Sequence, residues 1–326
     1  MTENSRRGLV LSAAALGAAT LAGRAQAQTM QNHPGAGPIK AGRISMLDGK
    51  VAVVTGAARG IGRAIALELA ANGADIVAVD ICGPVSTASD AKPATPAELD
   101  QTVADIQKLE RRARAVHADI RDIGALRAIA AQTVKDFGKI DIVVANAAIQ
   151  RWTNILDMQD SDWTDVIDNN LNGTANTIRA FAPHMVERKY GRIIVLSSMQ
   201  GKHGTNGAAS YSASKWGILG LMKSAAMEFG KYGITVNAIL PGLVETPLTT
   251  YDKRYSHLIS EHRPNPPEHP SAQETWDVRA PTIPLKVGWL QPEDISPVAV
   301  FLASDAAAMV TGADYEVTAG DSALDT

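Results

Sequence analysis

Val51-Ala52-Val53-Val54-Thr55-Gly56-Ala57-Ala58-Arg59-Gly60-Ile61-Gly62 begins as an apolar run and ends on a turn punctuated by three glycines. The run suits a strand buried on both faces, as in a parallel sheet. Glycines let the backbone turn tightly and approach a pyrophosphate, and a helix beginning near Gly60 offers free N–H groups and the positive end of its dipole. A glycine triplet alone is a weak signal. Here it lies between a strand and the amphipathic residues 63–72, and the next apolar run, Ile76-Val77-Ala78-Val79, stops at Asp80. An acid at that strand end accepts both ribose hydroxyls of adenosine and repels a 2′-phosphate, which favours NAD over NADP. Arg59 is the dissenting residue, because a guanidinium beside the same pocket can meet such a phosphate.

The chain has 326 residues, 45% of them hydrophobic, enough for an α/β core in one domain plus extensions. Its formal net charge of −3 gives no basic field for nucleic acid. The single Cys82 allows no intrachain disulfide, and no apolar run reaches the ~20 residues a membrane span needs.

A second constellation carries chemistry. Tyr211 and Lys215 are four apart, so on a helix they project from one face. A fixed positive charge within a few Å favours a phenolate, which moves tyrosine from about 10 toward neutral pH, and Lys215 is read as that charge. Ser198 follows the apolar run Ile193-Ile194-Val195-Leu196, where its hydroxyl can polarise the carbonyl that the phenol protonates.

Together these motifs resemble the short-chain dehydrogenase/reductase family: TGxxxGxG from Thr55, Asp80, Asn146-Ala147 after Ile142-Val143-Val144, Asn170, Ser198, and Tyr211 with Lys215. The resemblance covers residues 47–320. It implies a single doubly wound Rossmann domain, a seven-stranded parallel sheet with helices on both faces, assembled as a dimer or tetramer. It also implies that Gly56, Arg59, Gly60, Ile61 and Gly62 cradle the phosphates of NAD, and that Asp119 and Ile120 flank the adenine. Asn146 would stand beside the cofactor, Pro241, Val244 and Thr246 would hold the carboxamide, and Lys215 would bind the nicotinamide ribose. Asn170 would bend its helix locally and hold a water in the proton path. The implied reaction is hydride transfer between a secondary alcohol or ketone and nicotinamide, with Tyr211 as acid/base; no metal is required. A cofactor-sensing regulator would be expected to lose Tyr or Lys, and an epimerase to carry TGxxGxxG, so neither alternative matches as well.

Three departures stand out. Ala148 replaces the glycine of the usual Asn-Asn-Ala-Gly, and Val317-Thr318-Ala319-Gly320 replaces the commoner Val-Asp-Gly-Gly. Residues 82–98 form an insertion rich in Pro, Ala, Ser and Thr, which resembles the carveol dehydrogenase and mycofactocin-associated branch, where a lid buries NAD. From composition alone it reads equally as a loose surface loop.

Residues 163–188 read as one long helix. Residues 247–284 lack sustained periodicity and read as a substrate lid; Tyr251, Tyr255, His257, His262 and Trp276 either pack on an apolar ring or anchor the loop to the body. At the other end, Arg6-Arg7 precedes an Ala-rich stretch closed by Ala25-Gln26-Ala27, which resembles a twin-arginine export signal over residues 1–27, followed by a linker at 28–45 and the domain at 46–326. Cleavage would remove Arg6, Arg7, Arg24 and Glu3 and take the formal charge from −3 to −5. The expected location is periplasmic, the alternative cytoplasmic. Joined to the lid, export suggests NAD held tightly and recycled in place by a second substrate or an external acceptor.

Overall fold

The computed structural model describes residues 46–87 and 91–324. The export signal, the linker and residues 88–90 of the insertion lie outside the described residues.

Strand β1 (Val51–Thr55) is buried along its whole length and runs into helix α1 (Gly60–Ala71). The chain continues through β2 (Asp75–Asp80), α2 (Pro96–Gln107), β3 (Ala113–His117), α3 (Ile123–Phe137) and β4 (Ile142–Ala145). Then come α4 (Asp160–Val166), a π-turn (Ile167–Asn172), α5 (Gly173–Arg188), β5 (Gly191–Leu196), α6 (Ala209–Phe229) and β6 (Ile234–Pro241). Helices α7 (Asp252–Ser260), α8 (Ala272–Arg279) and α9 (Pro292–Ala303) precede β7 (Asp314–Val317).

All seven strands are parallel in the order β3-β2-β1-β4-β5-β6-β7, as the resemblance implied. Val53 sits opposite Val77 on one side and Val143 on the other, which explains why these strands read as continuous apolar runs. Helices α1, α2 and α9 pack on one another, while α3, α5 and α6 close the main core around Leu126, Phe181, Met185, Ile218 and Met222. The order reverses between β1 and β4, so a crevice opens beyond the carboxyl ends of these strands.

Three boundaries differ from the sequence reading. Helix α2 starts at Pro96 because Thr95 is its N-cap and forms a reciprocal capping box with Glu98, so the inserted loop ends at Thr95 rather than residue 98. The expected helix over 163–188 begins at Asp160 and is interrupted by the π-turn that contains Asn170. The 247–284 segment contains α7 and α8; proline-rich flanks and short lengths hid their periodicity.

Candidate active site

The glycine turn needs its glycines. Gly56 has φ +68°, and a Cβ there would lie 2.7 Å from Asn146 Nδ2 and 2.9 Å from Ala147 Cα; at Gly62 a Cβ would meet the Gly56 carbonyl oxygen at 2.1 Å. Asn146 locks this turn by donating to the carbonyls of Thr55 (2.9 Å) and Gly56 (3.2 Å). At the end of β2, Asp80 is buried and accepts from the backbone N–H of Ala58 (3.1 Å) and of Cys82 (2.9 Å). A carboxylate has about four acceptor positions, so two backbone bonds fix its orientation and leave capacity for ribose hydroxyls.

Arg59 is engaged elsewhere. It donates to the carbonyls of Pro93 (3.3 Å) and Lys92 in the insertion and lies 3.7 Å from Glu98. The residue that dissented on cofactor choice therefore holds the loop. Other ties act at the loop's opposite end: Arg121 donates to the Val85 carbonyl at 3.2 Å, and Ser86 donates to Asp165, which also pairs with Arg151 at 3.1 Å. The described part of the insertion thus forms a wall beside Asp80, with Pro84, Val85, Lys92 and Pro93 lining the cavity.

That cavity, of about 670 Å³, brings together Gly56, Arg59, Gly60, Ile61, Gly62, Asp80, Asp119, Ile120, Asn146, Ser198, Tyr211, Lys215, Pro241, Val244 and Thr246. Its tight glycine turn, helix N-terminus and strand-end acid fit a dinucleotide. Asp119 faces the same space, with its carboxylate committed to Arg121 at 2.6 Å. Burial works to raise its pKa, yet the hydrogen bonds and charge of Arg121 hold it below the usual range.

On the far side, Tyr211 is buried, and Ser198 and Gln150 act on its phenol in favour of the charged form. Trp152 Nε1 donates to Gln150 Oε1 at 3.0 Å, which leaves the amide NH₂ for the phenol oxygen. The Lys215 ammonium donates to the Leu196 carbonyl at 2.8 Å and stands 5.4 Å from the centre of the Tyr211 ring. Burial lowers Lys215 to about 7 and pushes Tyr211 above its ordinary value, against the pull of Gln150, Ser198 and the Arg254 charge. Lys215 was expected to be the cation that acidifies the phenol. Its ammonium does stand beside the ring, and the Arg254 charge on α7 acts on Tyr211 in the same direction.

Asn170 does not line the cavity. Its amide donates to Ile149 O (2.9 Å) and Ser214 Oγ (3.2 Å) and accepts from Ile149 N (2.9 Å) and Asn169 (3.1 Å). All four positions are used, so the side chain holds no water. Ser214 Oγ in turn donates to the Tyr211 carbonyl at 2.7 Å, which makes Asn170 a positioning residue for α6.

The profile of the short chain dehydrogenase family matches residues 50–255. The chain belongs to this family. Among its relatives is an uncharacterised NAD-dependent oxidoreductase of Mycobacterium tuberculosis, 39% identical over 280 residues, spanning 85% of this chain and 98% of the relative. The (−)-trans-carveol dehydrogenase of Rhodococcus erythropolis is 37% identical over 281 residues, spanning 85% and 99%. In structure the chain is similar to carveol dehydrogenase from Mycobacterium avium in complex with NAD, at a TM-score of 0.81 and 36% identity, over 86% of this chain and 99% of that one.

The substrate side of this short-chain dehydrogenase holds what sequence reasoning missed: Gln150, Trp152, Arg254 and Arg279. The ring contacts described for residues 247–284 are with the body of the domain. Trp276 packs edge-on against Trp289 at 5.0 Å and Tyr255 stacks on Trp289 at 6.3 Å, so both anchor this segment. His257 lies 4.5 Å from Trp152, whose ring also carries the Arg254 guanidinium at 3.7 Å. No periodic signal marked these residues; Ser271-x-x-Glu274, the capping box of α8, was the one legible cue to helical structure in this segment.

Proposed function

We propose that the chain is an NAD-dependent dehydrogenase that interconverts a secondary alcohol and a ketone, with Tyr211 as general acid/base. The observation that carries this reading is that Ser198, Tyr211 and Lys215 line the same cavity as the glycine turn and Asp80. In oxidation the Tyr211 phenolate takes the hydroxyl proton while Ser198 donates to the developing carbonyl oxygen. Gln150 holds the phenolate oxygen, and Lys215, which titrates near neutrality, serves the nicotinamide ribose and the proton path. NAD supplies the hydride acceptor and, as a cationic ring, favours the phenolate. Tyr211→Phe should keep NAD binding and lower turnover at least about a hundredfold. Near-normal turnover by the folded variant would refute the role.

The same reading includes a lid that retains NAD. The ties from Arg59, Arg121 and the Ser86–Asp165–Arg151 group support it, since each must break before residues 82–95 can lift. Activity that survives dialysis without added NAD is the expected outcome, with recycling by a second substrate or an external acceptor. Complete loss with recovery only on adding NAD would leave an ordinary exchanging enzyme. Export by the twin-arginine-like residues 1–27 and assembly into a homo-oligomer belong to the same proposal; fractionation of expressing cells and the mass of the native particle test them.

A further inference from the structure

Arg254 carries a buried charge that no carboxylate among the described residues meets at ion-pair distance. Its side chain is 5% exposed, lies on helix α7, and lines the cavity. Nε and Nη1 are buried with no hydrogen-bond partner. Of the neighbouring charges, Arg279 pairs with Asp321, while Glu261 lies 3.4 Å from His257 and acts on Arg254 from a longer distance. Its guanidinium lies over the Trp152 ring at 3.7 Å, a face that orients the cation without neutralising it. Trp152 belongs to the same packed cluster as Tyr211, so the cation stands at the reacting end of the cavity, on its substrate side.

Burying a guanidinium is costly unless an anion repays it. Among the described residues no anion touches it, since Glu261 acts on it only from beyond ion-pair distance, and burial draws Arg254 down to about 10. A substrate can supply that anion. We propose that Arg254 is a specificity-determining residue that receives a carboxylate on the substrate, so the substrates are hydroxy and oxo carboxylic acids with an apolar body against Trp152. This rests on the dehydrogenase reading, because it places the substrate's hydroxyl at Tyr211 and its carboxylate at Arg254.

Binding tests it without turnover. The NAD-loaded protein is titrated calorimetrically with carboxylic acids of four to ten carbons, linear and cyclic, and with their neutral amides. At least one acid should bind about tenfold or more tightly than its amide, the scale of one charge-assisted hydrogen bond. Arg254→Leu should level acid and amide, and Arg254→Lys should restore part of the preference; tryptophan fluorescence reports whether each variant keeps the packing around Trp152. If no acid outbinds its amide, including the case where none binds, or if folded Arg254→Leu keeps the preference, the proposal falls. Tyr211→Phe should retain the preference, so failure of the acid/base reading and failure of the carboxylate site give different results.

Discussion

Replacing Lys215 by Met tests the electrostatics of the catalytic helix. The ammonium is 2% exposed and is held by the Leu196 carbonyl alone. An ordinary lysine titrates at 10.5 and this one at about 7. Between those values the unfolded chain binds a proton that the folded protein lacks, so stability rises with pH across this window, and the burial penalty is fully present below pH 7. At about 1.4 kcal/mol per tenfold, the penalty is on the order of 4 kcal/mol at pH 7 and about 1 kcal/mol at pH 9.5. Lys215→Met removes that dependence and leaves the Leu196 carbonyl unpaired, a pH-independent cost of about 1 to 3 kcal/mol. Urea denaturation of both proteins at pH 7 and 9.5, at one protein concentration, isolates the difference, because every other titrating group is common to both. The wild type should gain about 3 kcal/mol over the variant between the two pH values. Parallel pH dependences would show that Lys215 is not desolvated as the geometry requires.

Three further outcomes follow from named contacts. Asp80→Ala should narrow the preference for NAD over NADP in equilibrium titration without reversing it, since Arg59 stays committed to Lys92, Pro93 and Glu98. Arg59→Ala should release one end of the inserted loop and speed NAD dissociation, read by stopped-flow displacement; an unchanged off-rate would show that the loop does not retain NAD. Ala319 occupies the left-handed region at φ +56°, where the commoner family pattern has glycine. Ala319→Gly should therefore stabilise the protein by up to about 1 kcal/mol in denaturant titration.

The sheet and the cofactor side were legible because they rest on local signals. Val51 to Gly62 encodes a buried strand, a tight turn and a helix start within twelve residues, and Asp80 closes the next strand in register with β1. The substrate side was not legible, because its residues meet only through tertiary packing. Arg254 reads as one charge on a short polar helix, and nothing in its neighbours says that it will stack on Trp152, a hundred positions away. Tyr211 and Lys215 were half legible: periodicity placed them on one face, but their protonation depends on burial, which needs the whole fold. The missed starts of α2 and α8 are instructive, since both carry Thr/Ser-x-x-Glu capping boxes that local reading can find.

The placement of Arg254 ties substrate charge to the direction of proton transfer. Gln150, Ser198 and the Arg254 cation all act on Tyr211 in favour of the phenolate, against the effect of burial. Arg254 itself faces Glu261, Arg279, Tyr251 and Tyr211. A carboxylate bound at Arg254 cancels part of the cation's pull, so Tyr211 should titrate higher in the substrate complex than in the NAD-loaded enzyme alone. For oxidation of a hydroxy acid, the pH dependence of kcat/KM reports the enzyme before substrate binds and that of kcat reports the complex. The inflection of kcat should then lie at higher pH than that of kcat/KM, and the gap should close for a neutral alcohol of the same shape. Equal inflections for the acid would mean that its charge is not felt at Tyr211. In the expected case, the anionic substrate raises the fraction of Tyr211 held as the proton-bearing phenol, the form that protonates a ketone, so at neutral pH carboxylate recognition by Arg254 favours reduction.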